Sequence, residues 1–358
     1  MNWKSIQKGS THMYFQKKPL SSGLLSFPEV TDFLSRQLNR TVHAPVFYDI
    51  ETTGLSHTSA AVYLAGAVFY ENGTWMYAQW MSGSAEDEPL ILEAFAGFLC
   101  RHADCTVQYN GSTFDQPFLS ARYRHYQIPD PLHTLPALDL YRALCPLKTL
   151  LKLDSMKQPC LEAFLSCPKR LYPDGKEGIR LYRKFCTSPE SSAQELLLGH
   201  NREDLQGLMM ILPLLAYLDL YTGDYEVSGC SFADEKVLFE LKLSHSVPVL
   251  FSNGNVHFYI TGNDHSIRLS AEAPDGNLRL YYKDYKNYDY IPSEDRAIPK
   301  ALSACLEKHL RVPATADTCY TRVFCSPTFL ETSAMQKQYL EHSLPYYLKT
   351  LEEIGDLS

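Results

Sequence analysis

The chain has 358 residues, with 33 Lys and Arg against 41 Asp and Glu, for a formal net charge of −8. Its length predicts about two domains, and 45% hydrophobic with 21% charged residues is the composition of a globular chain, not a disordered one. The acidic balance argues against a generally sticky nucleic-acid binder but permits an enzyme that meets nucleic acid through one local groove.

Residues 1–44 read as a polar lead-in segment without the apolar run of a secretory signal, carrying one short helix, PEVTDFLSRQL. From Pro45 the texture changes. VFYDIE is a short apolar run suited to a strand buried on both faces. AAVYLAGAVFY and TWMYAQWM are strand-like and flank Glu71-Asn72-Gly73, a hairpin turn signal. Residues 88–101 repeat apolar side chains at helical spacing, CTVQYN reads as a fourth strand, and FDQPFLSARYRHY as the helix after it. ALDLYRAL reads as a short strand running into a helix. Residues 191–221 read as one long helix kinked at Pro213, with an apolar part, 208–221, too short to span a bilayer.

Beyond Gly223 the pattern turns β-rich. VLFELKL, VPVLFS, VHFYIT, SIRLSAEA and NLRLYYK are short alternating segments with NGN and DGN turns, as in a β-meander. A helix near 293–310, a strand TCYTRVF and a final amphipathic helix over 336–354 follow. The Thr, Gly, Asp and Ser cluster at 222–231 marks the expected domain boundary. The ten cysteines contain no CxxC pair, which predicts reduced thiols in a cytoplasmic protein.

Three segments carry candidate chemistry. In Asp49-Ile50-Glu51-Thr52-Thr53-Gly54-Leu55 the two acids are i and i+2 on a strand, so they share a face. Adjacent carboxylates repel unless a cation lies between them, and a hard divalent cation takes such oxygen ligands. A solvated strand end fits DxE alone equally well, but the Thr-Thr-Gly-Leu turn would add free backbone N–H groups beside the acids. In Tyr109-Asn110-Gly111-Ser112-Thr113-Phe114-Asp115, Ser112 or Thr113 suits an N-cap, and Asp115 alone could serve only to balance the helix dipole. In His200-Asn201-Arg202-Glu203-Asp204, His200 and Asp204 are i and i+4 and share a helix face; an exposed surface pair is the plainer reading.

The order of the three segments resembles the DnaQ-like 3′–5′ exonuclease superfamily, and within it the YprB-type ribonuclease H-like family. The likeness covers about residues 45–220 and rests on DIETTGL, YNGSTFDQPFL and HNREDL. It implies an α/β fold: a ribonuclease H-like domain over 45–222, with a mixed five-stranded sheet flanked by helices, followed by a smaller β-rich (α+β) domain with a terminal helix over 231–358. It also implies a metal-dependent nuclease, a 3′–5′ exonuclease on single-stranded DNA or RNA. Two Mg²⁺ or Mn²⁺ ions would be held by Asp49, Glu51, Asp115 and Asp204, with Asp49 bridging them. His200 would orient or deprotonate the attacking water. Backbone at Thr52, Thr53, Gly54 and Leu55, with the side chains of Leu55, Asn110 and Phe114, would pack the terminal nucleotide. The last motif departs from its relatives, which carry Tyr-x3-Asp or His-x4-Asp. Here it is His-x3-Asp, so His200 stands where the first group has Tyr. A nuclease-like binding module with little turnover is the alternative.

Two further segments stand out. KRLYPDGKEGIRLYRK, residues 169–184, holds six basic and two acidic residues around Tyr172 and Tyr182. It could track a phosphate backbone or be a solvated loop and helix. YYKDYKNYDY, residues 281–290, has five Tyr in ten positions, which suits a half-buried strand pair better than a stacking platform.

Overall fold

The computed structural model describes residues 4–8, 11–20, 25–172 and 175–355. The chain divides into two compact units: Met1–Cys145 with Ser155–Leu212, and Pro146–Asp154 with Pro213–Ser358.

The first unit begins with β1 (Lys4–Lys8) and β2 (Thr11–Pro19), then α1 (Phe27–Leu38). Ser26 caps α1 in a capping box with Glu29. β3 (Pro45–Thr52), β4 (Val62–Glu71) and β5 (Thr74–Ser82) form the expected meander. Asn72 and Gly73 at the β4–β5 turn have φ of 50° and 81°, the left-handed pair that a two-residue hairpin needs. α2 (Glu88–His102), β6 (Cys105–Gln108), α3 (Asp115–His125) and β7 (Ala137–Asp139) follow. The chain then passes through short helices α4 (Leu140–Leu144), α5 (Leu147–Leu150, in the second unit) and α6 (Gln158–Phe164) into α7 (Gly175–Thr187) and α8 (Ser191–Met210).

The sheet order is β1-β2-β5-β4-β3-β6-β7, with β6 parallel to β3 and to β7 and the other pairs antiparallel. Five of these strands are the five expected. The other two lie in the stretch read as a polar lead-in. Thr11–Pro19 reads as a tail because of its polar His, Gln and Lys residues, yet it supplies Met13 and the buried Gln16 to the sheet. Period-two alternation decides what faces what. Val46, Tyr48 and Ile50 of β3 enter the core built with Phe95, Leu99 and Phe118 of α2 and α3. Asp49 and Glu51 therefore point to the opposite face, which α8 covers through Leu197 and Leu198.

The helix read over 191–221 is three pieces. α8 ends at Met210, a 3₁₀ turn spans Leu212–Leu218, and α9 is Asp219–Thr222. By length and composition the stretch Ser191–Thr222 could cross a membrane, although 72% of its most apolar window is buried. The division between the units falls at Leu212/Pro213, earlier than the polar cluster at 222–231. Pro213 has no N–H to continue the α8 hydrogen-bond ladder.

In the second unit the strands are fewer and longer than expected. VLFELKL and VPVLFS are one strand, β9 (Lys236–Gly254), paired with β8 (Tyr225–Ala233) and with β10 (Phe258–Glu272). β-Bulges near Asp264 absorb the apparent breaks in pattern. β11 (Asn277–Tyr281) pairs with Tyr320–Phe324, and β12 (Tyr288–Ile291) lies between Arg296–Pro299 and Val312–Pro313. The helix expected over 293–310 is reduced to one α-turn, Lys300–Ser303, and a 3₁₀ turn, Lys308–Leu310. The terminal helix runs Ser333–Gly355. The tyrosines of 281–290 are largely structural: Tyr281 stacks on Tyr346, Tyr282 on Tyr288, and Tyr290 donates to Asp295.

Candidate active site

Asp49 and Glu51 lie near the C-terminal end of β3, on the face covered by α8. The α8 side chains meet them there. His200 Nε2 is 3.5 Å from Glu51 Oε1 and 3.4 Å from Asp204 Oδ2. One ligand atom from each of Glu51, His200 and Asp204 can be chosen so that all lie within 4.8 Å of one another. The fourth acid, Asp115, is the first residue of α3. It accepts backbone hydrogen bonds from Ile50 and from its own N–H, so it faces the same strand end. The helix N-cap is Phe114, without a side-chain bond, and not Ser112 or Thr113. Those two are engaged elsewhere: Ser112 donates to Asp139, and Thr113 to Asn110.

The four acids feel one another. Burial, then the charges of Asp204, Asp115 and Glu51, hold Asp49 well above the usual carboxylate range, and the Asn201 hydrogen bond works against this. Burial, then Asp204 and Asp115, do the same to Glu51, opposed by the Tyr63 hydroxyl at 3.5 Å. Burial also pushes Asp115 up to about 7. Desolvated carboxylates that oppose each other's ionisation form a donor set that a divalent cation would neutralise. The residues present fit such an ion, and His200 adds an imidazole that Mn²⁺ also accepts.

The pH dependence of stability follows from these shifts. The folded Asp115 value, about 7, lies above its ordinary 3.8, so the native state holds the extra proton between them. That contribution to stability is full below about pH 4 and is lost as pH rises through about 7. Thermal melts in chelator should show a falling midpoint from pH 5 to pH 8, with a shallower fall in Asp115→Asn. A flat wild-type profile, or an unchanged slope in the variant, contradicts this.

Asn201 was not singled out by sequence reasoning, yet it organises the site. Asp49, Gly66, Gln79 and Gln16 are register partners in a row across β3, β4, β5 and β2. Asn201 lies over Gly66, where an added Cβ would come within 2.1 Å of its Oδ1. From there its Nδ2 donates to Asp49 Oδ2 at 2.8 Å, and its Oδ1 accepts from Gln79 Nε2 at 2.7 Å. Gln16 Nε2 donates in turn to Gln79 Oε1 at 2.6 Å. Arg170 is a second such residue. It pairs with Asp204 and grips Glu162 with two N–H···O bonds of 2.9 and 2.7 Å. The basic segment it belongs to is therefore not all free for phosphate. Tyr182 is buried and stacks on Tyr63 at 4.2 Å, and Pro173 and Asp174 lie outside the described residues.

The expected nucleotide-packing residues differ in what they offer. Leu55 is 85% exposed. Thr52 and Thr53 are spent on the turn: Thr52 donates to the Gly54 carbonyl, and Thr53 N–H donates to the Ala61 carbonyl, so it is not a free donor beside the acids. A Cβ added at Gly54 would come no closer than 3.4 Å to another side chain, that of Ala60. Asn110 is exposed with a left-handed φ of 57° and is held by Asp139, which accepts from the N–H groups of Asn110, Ser112 and Tyr141. Phe114 is half-buried and packs on Phe118.

Residues 46–216 match the family model RNase_H_2, of the RNase_H superfamily. The match supports a ribonuclease H-like fold for these residues, and such a match suggests a nuclease. A solved structure titled "ExoI/SSB-Ct complex" aligns over 87% of this chain and 72% of its own, at 11% identity and a TM-score of 0.29, too low a score to bear on fold or function. No curated protein sequence matches the chain.

Proposed function

We propose that the first unit is a divalent-metal-dependent 3′–5′ exonuclease of the DnaQ-like type, acting on single-stranded DNA or RNA. The observation that carries this reading is the meeting of Asp49, Glu51, Asp115 and Asp204, from β3, α3 and α8, close enough that the charge of Asp204 acts on each of the other three. Two Mg²⁺ or Mn²⁺ ions held by these carboxylates would stabilise the attacking and leaving oxygens of phosphodiester hydrolysis. The chain's own residues do the rest. His200, aimed between Glu51 and Asp204, orients the attacking water and takes its proton. Leu55 and Phe114 wedge the terminal base, a contact that does not read base identity.

End-labelled single-stranded DNA and RNA incubated with Mn²⁺ test this. Stepwise shortening from the 3′ end, stopped by chelator and by a non-hydrolysable 3′ linkage, is the expected result. Intact substrates throughout would overturn it; tight binding without shortening would leave a binding module in its place.

Asn201 should act through Asp49. Removing an outer hydrogen bond to a metal ligand typically costs about 10–100-fold in affinity. Asn201→Ala is therefore expected to weaken Mn²⁺ binding by about that factor in calorimetric titration. An unchanged affinity would show that Asp49 needs no such support.

A further inference from the structure

A cavity of about 480 Å³ lies in the first unit beside α8. Its outer wall is the segment 168–172, which runs along α8. Tyr172 sits over Gly199, where a Cβ would come within 2.2 Å of the ring. The N–H groups of Leu171 and Tyr172 donate to Glu203 at 2.7 and 3.1 Å, so that carboxylate is spent on holding the segment. Arg170 lines the cavity and also reaches Asp204, so the cavity and the carboxylate group share a wall.

Arg202 is the informative residue. It is half-buried, lies 5.5 Å from the centre of the Tyr172 ring, and donates to the hydroxyls of Tyr172, at 3.1 Å, and Tyr77. These partners are neutral, and no described carboxylate forms an ion pair with it. A guanidinium taken partly out of water without a counter-charge is costly. Pinning the segment to α8 would need only the stacking; it explains neither the open volume nor the exposed Lys169 and Leu171 (84% exposed) at its wall. The volume falls in the ordinary range of ligand sites. The guanidinium fork suits phosphate oxygens, and an aromatic edge beside an apolar side chain suits a nucleoside.

We infer that this cavity is a subsite for the sugar–phosphate backbone of a single strand whose end lies at the carboxylates. Arg202 and Lys169 take a phosphate, and Tyr172 and Leu171 pack its nucleoside. The inference deepens the nuclease reading and rests on it.

The test is fluorescence anisotropy of a labelled oligothymidylate with the full chain in EDTA, across a salt series. Lys169→Glu, a surface change, and Arg202→Gln should each weaken binding about tenfold, with Arg202→Lys in between. Each lost phosphate contact should reduce the slope of log K against log salt by about 0.7. Thermal melting establishes that the variants are folded. Wild-type affinity and slope in Lys169→Glu and in folded Arg202→Gln would overturn the subsite, even if the wild type cleaves with Mn²⁺. Binding that these variants weaken, in a wild type that cleaves nothing, would uphold the subsite and overturn the nuclease reading.

Discussion

Asp49→Asn is expected to lower Mn²⁺-dependent hydrolysis of an oligonucleotide by about 10³-fold or more, without lowering the melting temperature of the metal-free protein at pH 8. The first half follows from the position of Asp49, whose charge is opposed by Asp204, Asp115 and Glu51 together. Loss of a carboxylate that holds a catalytic ion removes charge stabilisation from the transition state, and about 4 kcal/mol corresponds to that factor. The second half separates chemistry from folding. An asparagine oxygen can still accept the 2.8 Å hydrogen bond from Asn201, so packing is kept. At pH 8 the variant also relieves the repulsion that burial and three acidic neighbours impose on the wild-type carboxylate. Single-turnover assays with melting curves in chelator decide it. Retained hydrolysis would remove Asp49 from the reaction, and activity lost together with several degrees of stability would mean that Asp49 matters chiefly to the fold.

The second large effect lies away from the carboxylates. Arg122→Met should destabilise the first unit by about 3–5 kcal/mol, because it leaves a buried anion without its partner. That anion is Glu88, fully buried at the start of α2. Arg122 reaches it from α3 with Nε at 2.9 Å and Nη2 at 2.5 Å, and Nη1 holds the His57 carbonyl at 3.1 Å. Glu88 Oε1 also accepts the Val62 N–H at the start of β4. One ion pair thus ties two helices to the loop that follows Asp49 and Glu51. The double variant Glu88→Gln with Arg122→Met should regain much of the loss, since Gln keeps an acceptor for Val62 and carries no buried charge. Denaturant unfolding would refute the prediction if the single variant lost under 1 kcal/mol, or if the double variant were no more stable than the single one.

Much of the candidate site was legible because its signals are local. Asp49 and Glu51 share a face through strand alternation, and His200 and Asp204 through one helical turn. The Asn72-Gly73 turn declared the β4–β5 hairpin because both residues must accept positive φ. The misses were long-range. Thr11–Pro19 reads as a tail until β5 pairs with it, and Arg170 reads as one more basic residue until Glu162 and Asp204 close on it. Ser112 reads as a helix cap until Asp139, 27 residues on, claims it.

The sequence by itself determined the element types from β3 to β7 and the alternation that puts two carboxylates on one strand face, and the order of its acids resembles that of nucleases. The first two depend on backbone geometry over a few residues. Only the tertiary structure decided what holds those acids in place. Gly66 leaves the gap, Asn201 fills it 135 positions along the chain, and Gln79 and Gln16 extend the hydrogen bonding to β2. No spacing rule links such residues. They meet because a buried amide must find partners for its donors and acceptors, and the folded sheet brings those partners within reach.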